Sequence, residues 1–445
     1  MYYAPAKNMS FYGEKPAPGP TVQDYLHRVG LRDLHGSEIG WMMRSFKRQL
    51  LGTYSKEKPN GTLKMIDTLL APVPVETRMA HAGDEVFTLT FGGTNVSAAW
   101  VRINAEGDPE IIRDVQTGKD LTVKSELHQK TFGTPDELFD KILSAVESVA
   151  SNRPIRRIGF VFTFPAKVER SALGIDVKSD IDQTKGFTFS GIDKGFVGEQ
   201  LIDFMRRSGK YRMDSFESIV VLNDTPAVAL AKDSRVGGIV GTGYNLCVSR
   251  GGTLYNLECG GFNDVIVPEL ARSIDTGPDK GLQLAEKQIS GKYLGMQMER
   301  AIRDLHEQGT LQTSVIPRQK DVDFPAEMIS YILDPSQTIP NFIPGHFLGG
   351  NILDEREVLL KIAQPLRDRS AHLVGIKLGT IVHTFPEEFP GEFVVAPMEG
   401  SVINYMPGYK DIVERVTQEY TGKQFDFHHV SNMEAKGAAI AAIGL

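Results

Sequence analysis

The sequence predicts an α/β protein with two or three lobes. At 445 residues the chain is too long for one ordinary hydrophobic core. Apolar, strand-like segments alternate with segments of helical periodicity, and this alternation is typical of the α/β class. A strand, a glycine turn and a second strand occur at 86–101 and recur at 238–248. The recurrence is a hint of two related lobes.

The elements of the first half follow in order from local signals. Residues 1–20 are rich in proline and glycine and predict a loose lead-in. The elements predicted after it are a helix over 37–54, an extended connector over 65–75, a hairpin over 85–103 with its turn at Gly92-Gly93, a helix starting at Thr134, and a strand over 157–164 stopped by Pro165.

The second half repeats the alternation, and we expect the strand at 218–222 to open a second α/β block. The elements predicted after that strand are a helix over 226–233, strands over 238–249 and 253–257, a helical region over 282–305 interrupted at Gly291, a helical region over 355–384, a strand over 393–397 that meets the turn 399–401, and an alanine-rich helix over 434–443.

Composition excludes several classes of protein. A formal charge of −7 argues against binding to duplex nucleic acid or an anionic membrane, which normally requires a basic face. The two cysteines, Cys247 and Cys259, lie in apolar or glycine-rich segments, so a reducing cytoplasm fits better than a disulfide scaffold. No signal peptide and no run of 18 apolar residues is present. We therefore expect a cytoplasmic protein with no nucleic-acid or membrane partner.

Two glycine turns are candidates for phosphate binding. Glycine lets backbone N–H groups approach phosphate oxygens closely, and Gly92-Gly93-Thr94-Asn95 adds a hydroxyl and an amide. Gly241-Thr242-Gly243 follows the second strand in the same way. Each turn alone is more typical of a plain hairpin than of a phosphate site. The pair, in matching strand contexts, favours binding of nucleotide phosphates.

Asp224 is the candidate general base. It follows an apolar strand and Asn223, and precedes Thr225-Pro226, where a helix is predicted to start. Aspartate is also a favoured helix N-cap, and that structural role stays open. The chemical alternative is a carboxylate that takes a proton from a hydroxyl attacking phosphorus, for which a strand end gives a rigid position.

Asn245, Glu258 and Glu286 are candidates for binding a polyol, since carboxylates and amides hydrogen-bond hydroxyl groups. Each of them alone is more typical of a solvated surface. The pair His428-His429 lacks partners at metal-ligand spacing and is interpreted as structural.

Together these residues resemble the hexokinase family, in the same order over roughly residues 40–445. The matching segments, in chain order, are 88–101, similar to the phosphate-1 string Asp-Leu-Gly-Gly-Thr-Asn; 159–165, similar to the sugar-binding strand, with Thr163 where the family has serine; Thr184-Lys185-Gly186-Phe187; Asn223-Asp224-Thr225; Gly241-Thr242-Gly243-Tyr244-Asn245; Asn256-Leu257-Glu258; 283–295, which contains Glu286; and Gly400-Ser401 of the adenosine loop.

Three segments depart from the family pattern. Thr90 stands where the family has the phosphate-1 aspartate, which helps to hold the Mg²⁺ of Mg-ATP through water. Gln183 replaces a tryptophan, and Met433 and Ala435 stand in the adenosine segment where glycines are usual. A hydroxyl stabilises a hydrated dication less than a carboxylate does, so Thr90 implies weaker positioning of the metal-nucleotide.

The resemblance implies a two-lobed actin-like ATPase (ribonuclease H-like) α/β fold with the ligand cleft between the lobes. It implies a helical segment at 1–70 packed on the large lobe, a small lobe at 71–215, a large lobe at 216–435, and a helix at 436–445 that returns to the small lobe.

The implied activity is phosphorylation of a hexose at the 6-hydroxyl by ATP, in a monomer or homodimer. Mg²⁺ would arrive as Mg-ATP, with no protein side chain as a direct ligand. Asp224 would be the base. The residues implied to hold hexose are Thr163, Thr184, Lys185, Asn223, Asn245, Glu258 and Glu286, and those implied to hold ATP are Gly92, Gly93, Thr94, Asn95, Thr242, Gly400 and Ser401.

Two other functions stay open. Thr90 and Met433 favour a weakened paralogue that binds sugar as a sensor. An actin-like chaperone or filament ATPase would share the phosphate turns, but it would not need the sugar segments and ranks last.

Overall fold

The computed structural model describes residues 21–54, 61–93, 95–150, 153–179, 181, 187–316, 324–336, 344–350 and 354–445. The strands within these ranges are β1 (Ile66–Asp67), β2 (Glu85–Phe91), β3 (Asn95–Ile103), β4 (Pro109–Ile111), β5 (Thr122–Glu126), β6 (Thr131–Phe132), β7 (Arg157–Phe162), β8 (Lys167–Ser171), β9 (Gly174–Ser179), β10 (Thr188–Phe189), β11 (Ser218–Leu222), β12 (Val236–Val240), β13 (Tyr244–Arg250), β14 (Thr253–Asn256), β15 (Ser314–Val315), β16 (Leu348–Gly349), β17 (Phe393–Val395), β18 (Met398–Glu399) and β19 (Gln424–Asp426).

The helices largely follow the apolar periodicity of the sequence. They are α1 (Val22–Arg28), α2 (Gly36–Tyr54), α3 (Val75–Ala80), α4 (Pro135–Ser144), α5 (Glu147–Ala150), α6 (Val197–Ser208), α7 (Asp224–Leu230), α8 (Glu269–Ser273), α9 (Glu286–Ile289), α10 (Gly291–Glu307), α11 (Glu327–Leu333), α12 (Arg356–Thr384), α13 (Ser401–Tyr405), α14 (Tyr409–Thr421) and α15 (Met433–Ile443). The described helices include none that is both long and apolar enough to cross a bilayer.

The first of two large sheets has eight strands in the order β4-β3-β2-β7-β11-β9-β8, with β5 also paired to β3. Its central strands β2, β7 and β11 are parallel and apolar, as expected for strands covered on both faces. One face packs on α4 and α6, and the other on α7 and α15. The predicted hairpin of β2 and β3 is confirmed, with Glu85 opposite Arg102 and Phe91 opposite Val96.

A buried carboxylate joins this sheet to α6. Asp176 on β9 is fully buried, and its Oδ1 accepts from the Gly198 N–H at 2.8 Å and from its neighbour Val177 at 2.7 Å. Its Oδ2 accepts from the Glu199 N–H at 3.0 Å. Burial raises the pKa of Asp176 to about 7. Two otherwise unpaired N–H groups at the start of a helix are thereby satisfied.

Replacing Asp176 with alanine should cost about 1–3 kcal/mol of unfolding free energy, because those N–H groups would be left buried without acceptors. Urea unfolding would measure the loss. Asp193→Ala is the matched control, since Asp193 is exposed just before α6 and should change stability by less than about 0.5 kcal/mol. Equal effects of the two substitutions would contradict the capping role.

The second large sheet has five strands in the order β1-β14-β13-β12-β18. It shares a hydrophobic core with α2, α10, α12 and α14. Strands β12 and β13 form an antiparallel hairpin, and β18 runs parallel to β12. The N-terminal helices α1 and α2 contribute Tyr25, Leu26, Met42 and Phe46 to this core, and therefore pack with the second sheet.

The structure differs from expectation around residue 218. Strand β11 pairs with β7 and β9 of the first sheet instead of opening the second block. Strand pairing is set by non-local contacts, which the local apolar pattern does not contain. Helix α7 also begins at Asp224, two residues before the predicted start, because Asn223 takes the extended N-cap conformation (φ −78°, ψ 165°).

Helix α15 holds α7 against the first sheet. The α15 residue Gly437 lies so close to α7 that a Cβ there would be 1.7 Å from the Ala227 carbonyl oxygen. Only glycine allows this approach of two backbones. The position of α7, and of Asp224 at its first turn, therefore depends on α15.

Candidate active site

Asp224 lies where β11 ends and α7 begins. The N-cap residue is Asn223, and no side chain makes a capping hydrogen bond there. The Asp224 Oδ1 accepts from the N–H of its neighbour Thr225 at 2.8 Å, and the side chain is partly exposed. Asp224 is thus the first residue of α7 and not its N-cap. Its side chain remains partly accessible to a substrate.

Asn245, Glu258 and the start of α7 are joined by a polar network centred on Asn256. The Asn245 Nδ2 donates to Asn256 Oδ1 at 2.6 Å and lies 3.3 Å from Glu258 Oε1. The Asn256 Nδ2 donates to the same glutamate oxygen at 2.7 Å. On the other side, Thr225 Oγ1 donates to Asn256 Oδ1 at 3.3 Å. The network fixes two predicted sugar residues relative to the residue after Asp224.

Asn256 was not among our predicted site residues. It is only 2% exposed, and it is the last residue of β14, two positions before Glu258. The sequence signals for Asn256 were its position two residues before a predicted site glutamate and its place in the family-like segment Asn256-Leu257-Glu258. Buried amides that are fully hydrogen-bonded hold such networks rigid.

The two candidate glutamates flank a short turn. Glu258 has the left-handed backbone conformation (φ 53°), which is strained for a residue with a side chain and costs of the order of 1 kcal/mol. The turn of 3₁₀ helix that follows contains Gly260, and a Cβ there would be 2.7 Å from Glu286 Oε2. Glu258 and Glu286 are therefore close together, although 283–295 is distant in sequence from β14.

Thr163 and Asn223 come from the first sheet. The Thr163 N–H donates to the Phe91 carbonyl at 3.2 Å, which places it at the ends of β2 and β7. The buried Oδ1 of Asn223 has no hydrogen-bond partner among the described residues. Asn223 and Asn256 line one cavity of about 10 Å³, with room for about one water. Polar residues of the two sheets thus meet at their common boundary.

The predicted phosphate turns are both hairpin turns. The Gly92 N–H donates to the Asn95 carbonyl at 2.9 Å, and Lys130 Nζ lies 3.4 Å from the Gly93 carbonyl oxygen. In the second sheet the Gly241 N–H donates to the Gly243 carbonyl at 3.0 Å and leaves Thr242 exposed. The hairpin geometry is compatible with either role that the sequence left open.

The adenosine-loop candidates lie against the second turn. Gly400 has φ 114°, and a Cβ there would be 2.4 Å from the Val240 carbonyl oxygen, so only glycine fits. Ser401 begins α13 and is exposed. A Cβ at Gly241 would lie 3.2 Å from the Gly400 Cα. Thr242, Gly400 and Ser401 are therefore brought together at one edge of the second sheet.

Three predicted residues, Thr94, Thr184 and Lys185, lie outside the described residues. Within the described ranges no group of three or more His, Cys, Asp or Glu side chains could hold a metal ion. His429 instead contacts Asn404, and His428 contacts Asp426.

A buried lysine lies near Tyr244 and Cys259, the chain neighbours of the predicted sugar residues Asn245 and Glu258. Lys377 on α12 is 2% exposed, and its Nζ has no hydrogen-bond partner among the described residues. The amine lies 4.9 Å from the ring centre of Tyr244 and 5.7 Å from that of Phe262. Burial lowers the pKa of Lys377 to about 7, opposed by the nearby Cys259 thiol.

Comparison with known families decides the relationship of the chain. Two family models, both described as hexokinase, match residues 32–233 and 235–444. The chain belongs to the hexokinase family. Among individual hexokinases, it is 24% identical to Hexokinase-1 of Schizosaccharomyces pombe over 482 aligned positions, which cover 99% of this chain and 94% of that protein.

It is also 28% identical to Hexokinase-2 of Rattus norvegicus over 303 residues, 62% of this chain. The match spans only 31% of the length of that relative, and the same is true of Hexokinase-2 of Homo sapiens.

The fold is also that of hexokinases. The structure of a hexokinase from Schistosoma mansoni complexed with glucose superposes with a TM-score of 0.72 at 19% identity, and covers 95% of this chain and 99% of that one. A second hexokinase crystal structure superposes with a TM-score of 0.71 at 20% identity. The predicted two-lobed α/β fold of the actin-like ATPase type is thereby confirmed.

Proposed function

We propose that the chain phosphorylates the 6-hydroxyl of a glucose-type hexose with Mg-ATP. The carrying observation is the network that joins Asn245 and Glu258 through Asn256 to Thr225, beside Asp224. It supports the proposal because amide and carboxylate groups, which can hydrogen-bond hydroxyls, lie beside the residue that follows Asp224. Membership in the hexokinase family and the complex of the Schistosoma mansoni hexokinase with glucose support this substrate class.

In the proposed reaction Asp224 accepts the proton of the hexose 6-hydroxyl as the hydroxyl oxygen attacks the γ-phosphorus of ATP. The bond from that phosphorus to the β,γ-bridging oxygen breaks, and ADP leaves. Glu258 and Glu286 accept hydrogen bonds from ring hydroxyls, while Asn223 and Asn245 bind others. The backbone N–H groups of the two glycine turns bind phosphate oxygens. Mg²⁺, bound as part of the nucleotide, neutralises charge on the phosphates.

Residues from both sheets contribute to the proposed site, so closure of the two lobes on the hexose would complete it. Thr163 and Asn223 follow strands of the first sheet, whereas Asn245 and Glu258 belong to the second or follow it. Closure would exclude water from the transferring phosphoryl group and limit wasteful hydrolysis of ATP.

The direct test supplies the purified chain with glucose and Mg-ATP in an assay coupled to oxidation of glucose 6-phosphate. We expect product to form only when both substrates are present. NMR of the product should show the phosphate on the 6-oxygen of the sugar. A panel of other hexoses would then define the preferred sugar. Absence of product at high protein concentration, in a chain shown by calorimetry to bind glucose, would overturn the proposal.

A second candidate function is that of a sugar sensor with weak chemistry. Thr90 favours it, because this buried hydroxyl stands at the end of β2, where the family resemblance places a carboxylate. The sensor requires glucose binding without turnover, so the same two measurements separate the candidates.

A further inference from the structure

The face of the first sheet that carries Thr90 holds a row of three polar residues. Thr90 on β2 pairs with Ser97 on β3, and Ser97 pairs with Lys124 on β5. Directly paired residues project from the same face of a sheet. That face also carries Val86 and Ala99, which pack with α15. The row thus lies on the side of the sheet away from α4 and α6, and it contains a cation but no carboxylate.

Glu399 of the second sheet lies within electrostatic reach of Lys124, at one end of this row. It is the last residue of β18, pairs with Ile239 of β12, and directly precedes Gly400-Ser401. Its Oε2 is buried and has no hydrogen-bond partner among the described residues. Burial raises the pKa of Glu399 to about 7, and Lys124 is the charge near enough to oppose that rise. The two side chains belong to different sheets, and each lies near one of the two glycine turns.

A buried carboxyl oxygen without a partner is costly, so the Oε2 of Glu399 calls for a cation or a hydrogen-bond donor. Lys124 meets this need only in part, because it is itself exposed. The ligand that the family implies between the two turns is a nucleotide with its hydrated Mg²⁺. Such an ion keeps several waters and is held by one or two carboxylates together with substrate phosphates.

Resting on the proposed function, we propose that Glu399 replaces, from the opposite sheet, the carboxylate missing at Thr90. It accepts hydrogen bonds from the water shell of the Mg²⁺ of Mg-ATP, while Lys124 binds the adjoining phosphate oxygens. The metal-orienting acid of this chain thus lies beside the adenosine loop, and the row of Thr90, Ser97 and Lys124 supplies only neutral and cationic groups.

Calorimetric binding of the non-hydrolysable analogue AMP-PNP tests this, with and without Mg²⁺. Mg²⁺ should tighten binding to the unaltered chain. Glu399→Gln keeps the shape of the side chain and removes its charge. In this variant the ratio of the AMP-PNP affinity with Mg²⁺ to that without it should fall about tenfold, which is the usual effect of removing a residue that hydrogen-bonds the ligands of a metal. The affinity for glucose should stay unchanged. Glu392→Gln, at an exposed glutamate before β17, is the matched control and should leave the ratio unchanged.

Rescue distinguishes a metal-orienting role from a structural one. Adding Thr90→Asp to Glu399→Gln should restore the Mg²⁺ dependence, because the carboxylate returns on the facing sheet. Lys124→Met should instead weaken AMP-PNP binding with and without Mg²⁺ alike. An unchanged ratio in Glu399→Gln, or no rescue by Thr90→Asp, would overturn the inference.

The proposed function fails separately. If the protein makes no glucose 6-phosphate but Glu399→Gln loses the Mg²⁺ dependence of AMP-PNP binding, the kinase proposal is wrong and the role of Glu399 stands. If the protein makes the product but Glu399→Gln leaves the ratio of the two affinities unchanged, the kinase proposal stands and the role of Glu399 is wrong.

Discussion

Replacing Asp224 with asparagine should lower kcat for glucose phosphorylation by about 10²–10⁴-fold, because the amide cannot accept the hydroxyl proton. Asparagine keeps the size of the side chain and an oxygen that can accept from the Thr225 N–H, as Asp224 does at 2.8 Å. The side chains that join Asn245, Asn256 and Glu258 by hydrogen bonds are all unchanged in this variant. The dissociation constant for glucose should therefore change by less than about threefold, which is no more than a substitution of an ordinary surface residue causes.

Steady-state kinetics and glucose calorimetry on the same preparation would measure both quantities. Asp233→Asn is the control, because Asp233 lies just beyond the other end of α7, is exposed, and has a left-handed conformation (φ 50°) that asparagine tolerates. It should leave kcat unchanged. If Asp224→Asn kept kcat within about threefold of the parent, the assignment of the general base would be wrong.

Replacing Lys377 with methionine should stabilise the protein by roughly 2–5 kcal/mol below pH 7, since the buried amine has no described hydrogen-bond partner and a pKa near 7. Methionine keeps the length of the chain between the rings of Tyr244 and Phe262. The loss of the amine–aromatic contacts offsets part of the gain.

The sign of the pH dependence follows from that pKa. Between about pH 7 and 10.5 the unfolded lysine holds a proton that the folded one lacks, so the penalty of burying Lys377 diminishes as pH rises. Below pH 7 the amine is protonated in both states and the penalty is complete. The gain from Lys377→Met should thus be larger at pH 6 than at pH 9, by about 2–3 kcal/mol.

Urea unfolding of parent and variant at the two pH values would measure this difference. The contributions of the other titrating groups are the same in both proteins and cancel, except those of the neighbouring Tyr244 and Cys259. Lys361→Met is the control, because Lys361 is exposed on the same helix and should give a change near zero at both values. An equal gain at pH 6 and pH 9 would mean that the amine is already hydrogen-bonded or solvated.

Local features of the site were predictable from the sequence. The hairpin around Gly92-Gly93, the strand that ends before Asn223, and the turn at Gly241 follow from strand periodicity and turn residues. The family resemblance then supplied roles for residues such as Glu258 and Glu286, which by composition alone looked like surface residues.

Features that depend on the packing of distant segments were not predictable. The membership of β11 in the first sheet is decided by its pairing with β7 and β9. Glu399 drew no attention because its environment is set by Lys124, on another sheet and far away in the chain. Lys377 stands in a helical pattern where a lysine normally projects into solvent. Burial of single polar groups is thus the information that the sequence lacked.

The contact of Gly437 with the carbonyl of Ala227 has a consequence for biosynthesis. Every strand that α15 covers is made before α15 is. While a ribosome still holds the residues from 433 onward, α7 lacks its packing surface and the apolar side of β2 and β7 faces solvent. Chaperones that bind exposed apolar segments would therefore meet the nascent chain until this helix docks, and the proposed activity would begin only then.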